Sequence, residues 1–272
     1  MAQQSTAYLL NKVESEMKLK IPSSSVSKLA HKLSLLLLNK ARIDQTLTKE
    51  HLRKQIAAKY LKGKGIEIGA LHSPLPVPTT VNIHYVDKIT IEQLRQQYPE
   101  LSAYDLVKPD IIDDGETLIS IPNASLDFII ANHVIEHCQN PIFSIENWLR
   151  VLKPGGVLYV AVPDKRYTFD CDRPITPLEH VVRDYKEGGS WSERSHYEEW
   201  AKLVEKAADS DVATRAENLL AINYSIHFHV WTQIEFLELL LYCRNSLALP
   251  LEIELLQKNQ IEFITVIRKT IE

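Results

Sequence analysis

The chain has 272 residues, a formal net charge of −4, and 45% hydrophobic and 24% charged residues, the balance of an ordinary soluble globular protein. A slightly acidic chain gives no electrostatic reason to expect a nucleic-acid partner, because phosphate binding shows as a basic excess or patch. Cys138, Cys171 and Cys243 are scattered and odd in number, which argues against a disulfide framework or a thiolate zinc site.

The opening MAQQSTAYLL lacks the basic and apolar regions of a secretion signal. The greasiest stretch, Leu35 to Leu38, is far short of the roughly 20 residues of a membrane span. A cytoplasmic protein with no membrane span is therefore the expectation. Residues 1–62 contain no glycine before Gly63 and read as a helical extension. Val26, Leu29, Leu33, Leu36 and Leu37 recur at helical spacing after the capping residues Ser23–Ser25. A second amphipathic run, Leu52 to Leu61, stops at Lys62-Gly63. Such helices cover a sheet face, lid a pocket or pair with a second subunit, so a homodimer through them is one expected assembly.

From residue 63 the pattern becomes that of one α/β domain running to 272. Ile66–Ile68, Val81–Val86, Asp110–Ile112, Leu126–Ala131 and Val157–Val162 read as strands, with helices over Ile91–Tyr98 and Pro141–Leu152. Alternation of this kind implies crossover connections and a mainly parallel sheet. The tail differs: a helix over Thr232–Arg244 precedes strands Leu251–Leu256 and Ile261–Ile267 around Lys258-Asn259, an antiparallel hairpin. Seven strands in all are predicted. Between the fifth strand and that helix, residues at about 165–230 are too many for a simple crossover, and read as an insertion with helices of its own such as Ser192–Ala207, forming a lid or acceptor pocket.

In a doubly wound sheet, ligands bind beyond the carboxyl ends of the strands. The first strand ends Glu67-Ile68-Gly69, where glycine permits a tight turn and close approach of the backbone to a ligand. The second ends at Asp87, 20 residues after Glu67, where a carboxylate can accept both hydroxyls of a ribose.

The run from Asp113-Asp114 through Leu118 and Ile121-Pro122-Asn123-Ala124-Ser125-Leu126-Asp127-Phe128-Ile129-Ile130-Ala131-Asn132-His133-Val134-Ile135-Glu136-His137 resembles the middle of class I S-adenosylmethionine-dependent methyltransferases of the type 11 group. Asn140-Pro141 and Asn147-Trp148-Leu149-Arg150-Val151-Leu152-Lys153-Pro154-Gly155-Gly156-Val157-Leu158 extend the likeness, and the LKPGG turn into a strand is among its most specific parts. The resemblance covers about Gly65 to Pro163. It implies a Rossmann-like sheet and S-adenosyl-L-methionine as cofactor. Residue by residue, it implies that Glu67 and Gly69 lie beside the methionine part of the cofactor, and that Asp87 takes the ribose. It places Asp113 or Asp114 near the adenine amino group, and Asn132 and His133 near the sulfonium, with Gly155-Gly156 as a structural turn. One departure stands out. Gly69 is followed by Ala-Leu-His-Ser-Pro, and Pro74, Pro76 and Pro78 exclude the helix that usually follows the family's first motif.

Methyl transfer to a hydroxyl needs a base, and His137 after the fourth strand, oriented by Asp164 after the fifth, suits that role, with His133 as the other candidate. His227 and His229 alternate as on a strand, which would put both on one face as metal-ligand pairs do. A metal centre needs three convergent ligands, so no metal is assigned. The function expected is O-methylation of a small-molecule or glycan hydroxyl, the aromatic insertion offering rings on which sugars stack. A non-catalytic cofactor-binding or assembly protein of the same fold is the alternative. An NAD-dependent oxidoreductase is disfavoured by the single Gly69 in place of three spaced glycines.

Overall fold

A computed structural model describes residues 49–97 and 103–271. The chain divides into two compact units, Met1–Glu50 and His51–Glu272. The helix expected over Val26 to Leu37, its caps at Ser23–Ser25 and any pairing through it lie outside the described residues.

Helix α1 (49–60) repeats apolar residues at helical spacing, and buries Arg53, Ile56 and Ala57 before the chain turns at Gly63 with φ +78°. There follow β1 (Lys64–Ile68), β2 (Asn82–Asp87), α2 (Ile91–Gln97), β3 (Ile111–Ile112), β4 (Leu126–Asn132), α3 (Pro141–Val151) and β5 (Leu152–Pro163). The insertion supplies α4 (Leu178–Glu187), α5 (Glu193–Leu203) and α6 (Val212–Ala221), and the chain continues through α7 (Gln233–Asn245), β6 (Leu251–Asn259) and β7 (Glu262–Lys269). The sheet order is β3-β2-β1-β4-β5-β7-β6. The first five strands are parallel, while β7 runs antiparallel to both β5 and β6. The Rossmann-like, seven-stranded expectation is met.

Strand alternation sorts the core into two layers. Ile66, Ile68, Ile129, Ala131, Leu158 and Val160 face Trp148, Phe236 and Leu239 of the helices on one side. Phe128, Ile130, Tyr159, Ile264 and Val266 face Ile56, Ala57 and Leu61 on the other. α1 therefore belongs with the sheet. The NWLRVLKPGG segment is architectural. Arg150 donates to the carbonyls of Thr117, Leu118 and Ile121 and to Asn123, which ties down the loop ahead of β4. Gly155 turns with φ +79°.

Two local expectations need correction. The hairpin turns at Gln260-Ile261 rather than at Lys258-Asn259. Gln260 takes the positive φ of +61°, and Asn259 stays in the ladder opposite Glu262, its side-chain amide donating to that carboxylate at 2.7 Å. Residues 225–230 form no strand. Their backbone is held by other means, with Phe228 and His229 N–H donating to the Glu136 carbonyl at 2.7 and 3.2 Å. His227 and His229 consequently serve different neighbours.

Candidate active site at the carboxyl edge

Between β1 and β4 the connections leave the sheet in opposite directions, so their carboxyl ends open a crevice. Gly69 sits there with φ +62°, its N–H donating to Val86 O at 2.9 Å. An added Cβ would meet nothing nearer than Val134 Cγ2 at 3.7 Å, so the glycine is required for its backbone angle rather than for space. The proline-rich loop beyond is irregular, as its sequence demands. Among the described residues, the amides of Ala70, Leu71 and His72 donate to no protein group, while Ser73 N–H closes a turn onto Ala70 O.

Glu67, fully buried, accepts the Leu75 N–H on both oxygens (2.9 and 3.1 Å) and the Asn132 side-chain amide at 3.3 Å. Burial nevertheless dominates those donors and the Arg53 charge, and pushes its carboxyl up to about 7. Asn132 Oδ1 is buried without a partner among the described residues. Asp87, at the end of β2, has only backbone amides near its carboxylate, those of Lys88 and of Ile89 at 3.5 Å, and burial outweighs them and raises its pKa. The adjacent acids behave differently. Asp113 turns inward to accept Asp114 N–H, Ser120 N–H and Ser120 Oγ–H within 2.8 Å, whereas Asp114 faces outward to Lys88 at 3.0 Å.

His133 follows β4 in a left-handed conformation, φ +54°. Its Nε2 lies 2.7 Å from Glu262 on β7, and its Nδ1 lies 3.5 Å from Glu136, an ion-pair separation too long for a formed hydrogen bond. Glu262 is fully buried and also receives both arms of Arg53 at 2.7 and 2.6 Å. Burial lowers the His133 pKa, but the two glutamates outweigh it and the net shift is upward. Arg53 and Glu262 escaped the sequence reading. Their only signals were a charge on the apolar face of α1 and an acid opening an apolar strand.

His137 and Asp164 are not brought together. The His137 Nδ1 lies 2.9 Å from the carbonyl of Ile226, which places its proton on Nδ1, and burial pushes the ring down to about 4. Asp164 is buried and engaged by the Arg166 side chain at 2.9 and 2.6 Å and by the Arg166 N–H. Next to His137, an acid–histidine pair forms between Asp170 and His227 instead, with Nδ1 2.7 Å from Oδ2. Arg173 holds the other Asp170 oxygen at 2.9 Å. Burial opposes the charge on Asp170, but His227 and Arg173 prevail and its pKa is lowered. His137 packs edge-on against His227 at 4.7 Å. Beside them is Glu136, 1% exposed, with neither carboxylate oxygen hydrogen-bonded among the described residues. One ligating atom from each of Glu136, His137 and His227 falls within 4.8 Å of the others.

At the opposite, amino edge of the sheet is an open cleft of about 410 Å³, lined in part by Lys62, Lys153 and Arg268. Lys153 is paired with Asp127 and Arg268 with Glu254, and none of the crevice residues reaches it. In the described residues, no helix is long and apolar enough to cross a membrane.

Residues 63–160 match the family model described as a methyltransferase domain. A "Probable S-adenosylmethionine-dependent methyltransferase" of Mycolicibacterium smegmatis is 32% identical over 94 residues, covering 34% of this chain and 33% of the relative. The match thus spans about a third of that relative's length. Among solved structures, a "possible histamine N-methyltransferase" from Thermotoga maritima aligns at 16% identity and TM-score 0.45, over 86% of this chain and 96% of that one. A Methanosarcina mazei methyltransferase aligns at 16% and 0.43, over 79% and 96%. Residues 63–160 are thus similar to a methyltransferase domain, and the relative matched over part of the chain is named for S-adenosylmethionine.

Proposed function

We propose that this protein transfers a methyl group from S-adenosylmethionine to a hydroxyl of a small-molecule or glycan acceptor. The crevice suits the cofactor in its own terms: a partnerless buried Asn132 Oδ1, three undonated amides at 70–72, and an acid at 87 left almost without partners. In this reading those amides receive the methionine carboxylate, Glu67 faces the ammonium, and Asp87 accepts the ribose hydroxyls. Asp113 or Asp114 takes the adenine amino group; Asp113 is the more heavily engaged, with three donors, while Asp114 accepts the Glu116 N–H and pairs with Lys88. Gly69, Asn132 and His133 line the methionine end.

Bound there, S-adenosylmethionine supplies an electrophilic methyl carbon on sulfur. Orientation of the acceptor then carries much of the rate, worth roughly 7–11 kcal/mol in well-aligned systems. The observation that carries the hydroxyl reading is the Asp170–His227 pair beside Glu136, whose carboxylate accepts no hydrogen bond among the described residues and has only His133, 3.5 Å away, as an ion-pair neighbour. Asp170 fixes the proton on His227 Nδ1, which leaves Nε2 as the base that takes the hydroxyl proton. Glu136 accepts a hydrogen bond from the acceptor, and Phe169 and Trp200, packed around His227 at 4.8 and 5.9 Å, offer faces for a sugar ring. His137 fits a base less well, since a ring held near 4 draws weakly on a hydroxyl proton. The His133 ring is biased toward its charged form by two glutamates, which suits a base poorly, and Asp164 caps the turn after β5.

The test is methyl transfer to a panel of hydroxyl, amine and carboxylate acceptors, followed by mass spectrometry. With a hydroxyl acceptor, His227→Asn is expected to cut kcat about 10²–10⁴-fold and to leave the cofactor Kd unchanged. Transfer only to amines or carboxylates, indifferent to that change, would overturn the reading.

A pH-linked prediction belongs to the cofactor half. A Glu67 carboxyl near 7 is about half protonated at pH 7, and a neighbouring ammonium lowers its pKa. Cofactor binding at pH 7 should therefore release up to about half a proton, and the release should give way to uptake toward pH 9, where Glu67 is already ionised and the free cofactor's amine must gain a proton to bind as ammonium. Calorimetry in buffers of different ionisation enthalpy measures this directly. No release at pH 7 would remove Glu67 from the ammonium.

A further inference from the structure

Three segments of the insertion converge where no part of the proposed reaction takes place. His180 and Asp184 lie one turn apart on α4, His196 is on α5, and His229 is on the extended stretch before α7. His180 Nε2 and His196 Nε2 face each other at 3.0 Å. His229 Nε2 is 2.9 Å and His180 Nε2 3.4 Å from Asp184 Oδ2. The three rings offer ligating atoms within 4.8 Å of one another. His229 and Asp184 are fully buried, and His196 is 8% exposed.

Protons do not satisfy this arrangement while the rings are neutral. The Cys138 carbonyl, 3.1 Å away, claims the His229 Nδ1 proton, so the His229 Nε2 lone pair points at a carboxylate oxygen. Only one of the facing Nε2 atoms of His180 and His196 can then donate to the other. Four electron-pair donors thus surround one point with a single hydrogen among them. A divalent cation removes every one of these conflicts together. The surroundings are also those of ligands held in place: His229 is anchored through Nδ1 and stacks on Trp231 at 5.4 Å, His180 packs on Trp191, and Ser192 Oγ–H steadies the second Asp184 oxygen at 3.2 Å.

We propose that His180, His196, His229 and Asp184 bind one zinc(II) ion in a closed, four-coordinate structural site. Three imidazoles and a carboxylate match zinc in donor type, and the donor separations of 2.9, 3.0 and 3.4 Å accord with bonds of about 2.0–2.2 Å. The ion would join α4, α5 and the 225–230 segment, and through the Cys138 carbonyl fix them to the end of β4. It is independent of the identity of the methyl acceptor. The adjoining Glu136, His137 and His227 group is the rival location, but there Asp170 and Ile226 set both histidine tautomers without any conflict.

The experiment uses the full chain, metal-stripped with a chelator and checked by circular dichroism. Zinc(II) should then bind with one-to-one stoichiometry, and cobalt(II) should give the strong visible bands of four-coordinate geometry. His196→Ala should abolish stoichiometric binding, Ser192→Ala should weaken it about 10-fold, and His227→Ala should leave it intact. Absence of zinc stoichiometry and of the cobalt bands in the folded wild-type protein would overturn the proposal. So would binding that survives His196→Ala but is lost with His227→Ala. In that event the buried pair is an imidazolium at His229 salt-bridged to Asp184.

Discussion

Replacing Arg53 by methionine is expected to destabilise the protein by about 3 kcal/mol, because it leaves a fully buried Glu262 carboxylate with only His133 and the Asn259 amide as partners. For a domain of this size that lowers Tm by about 10 °C. The cost comes from the under-compensated charge more than from a lost attraction. The double change Arg53→Met with Glu262→Gln should therefore recover much of the loss, which a denaturant double-mutant cycle measures. The pH dependence has a definite sign. Arg53 and His133 outweigh burial and hold Glu262 well below the usual carboxylate range. Its contribution is thus present above the unfolded pKa of about 4.5 and disappears as pH falls toward the folded one. The advantage of the wild type over Glu262→Gln should shrink with acidification below about pH 4. An advantage that stayed constant would mean that Glu262 is not charged in the native state.

Replacing Asp87 by alanine should weaken S-adenosylmethionine and S-adenosylhomocysteine binding about 100-fold with little loss of stability. Two charge-assisted hydrogen bonds to a ribose are each worth about 1.5–3 kcal/mol, so about 100-fold is a low figure for both. The protein itself asks little of this carboxylate, which meets only the backbone amides of Lys88 and Ile89, the latter at 3.5 Å. Asp87→Asn should fall between, since its amide can still accept from one hydroxyl. Calorimetry with both adenosyl ligands and NAD checks the pattern, NAD being expected not to bind. Equal affinities in wild type and Asp87→Ala would move the ribose elsewhere in the crevice.

The strands and the closing hairpin were legible because each strand carries an apolar run or alternation and each turn its glycine, proline or LKPGG signature. Crevice residues such as Gly69 and Asp87 were legible for a related reason: they sit where strands end, and strand ends can be read from local pattern. The insertion obeys no such rule. Whether His227 meets Asp170 or His229 depends on how 225–230 lies over β4, a contact between segments 57 residues apart in the case of the pair itself. Spacing placed His227 and His229 on one face, and backbone hydrogen bonds to Glu136 overrode it. Asp164 looked like a partner for His137 because both follow adjacent strands, but Arg166, two residues on, reaches it first. Arg53 and Glu262 are 209 residues apart and share no motif that would join them.

The insertion has a small hydrophobic cluster of its own, formed by Tyr197, Trp200, Ala216, Leu219, Ile226 and Phe228, apart from the two layers on the sheet. So few buried contacts set a lower free energy for local opening than the sheet possesses. Amide hydrogens of α5 and α6 therefore exchange through excursions that leave β1, β2 and β4 closed. In such an excursion the Asp170–His227 pair comes apart while Gly69, Asp87 and Asn132 keep their places. On the proposed reading, the nucleoside would rest on a standing platform while the acceptor side opens and recloses, so loading of the two substrates would be decoupled at the level of folding stability.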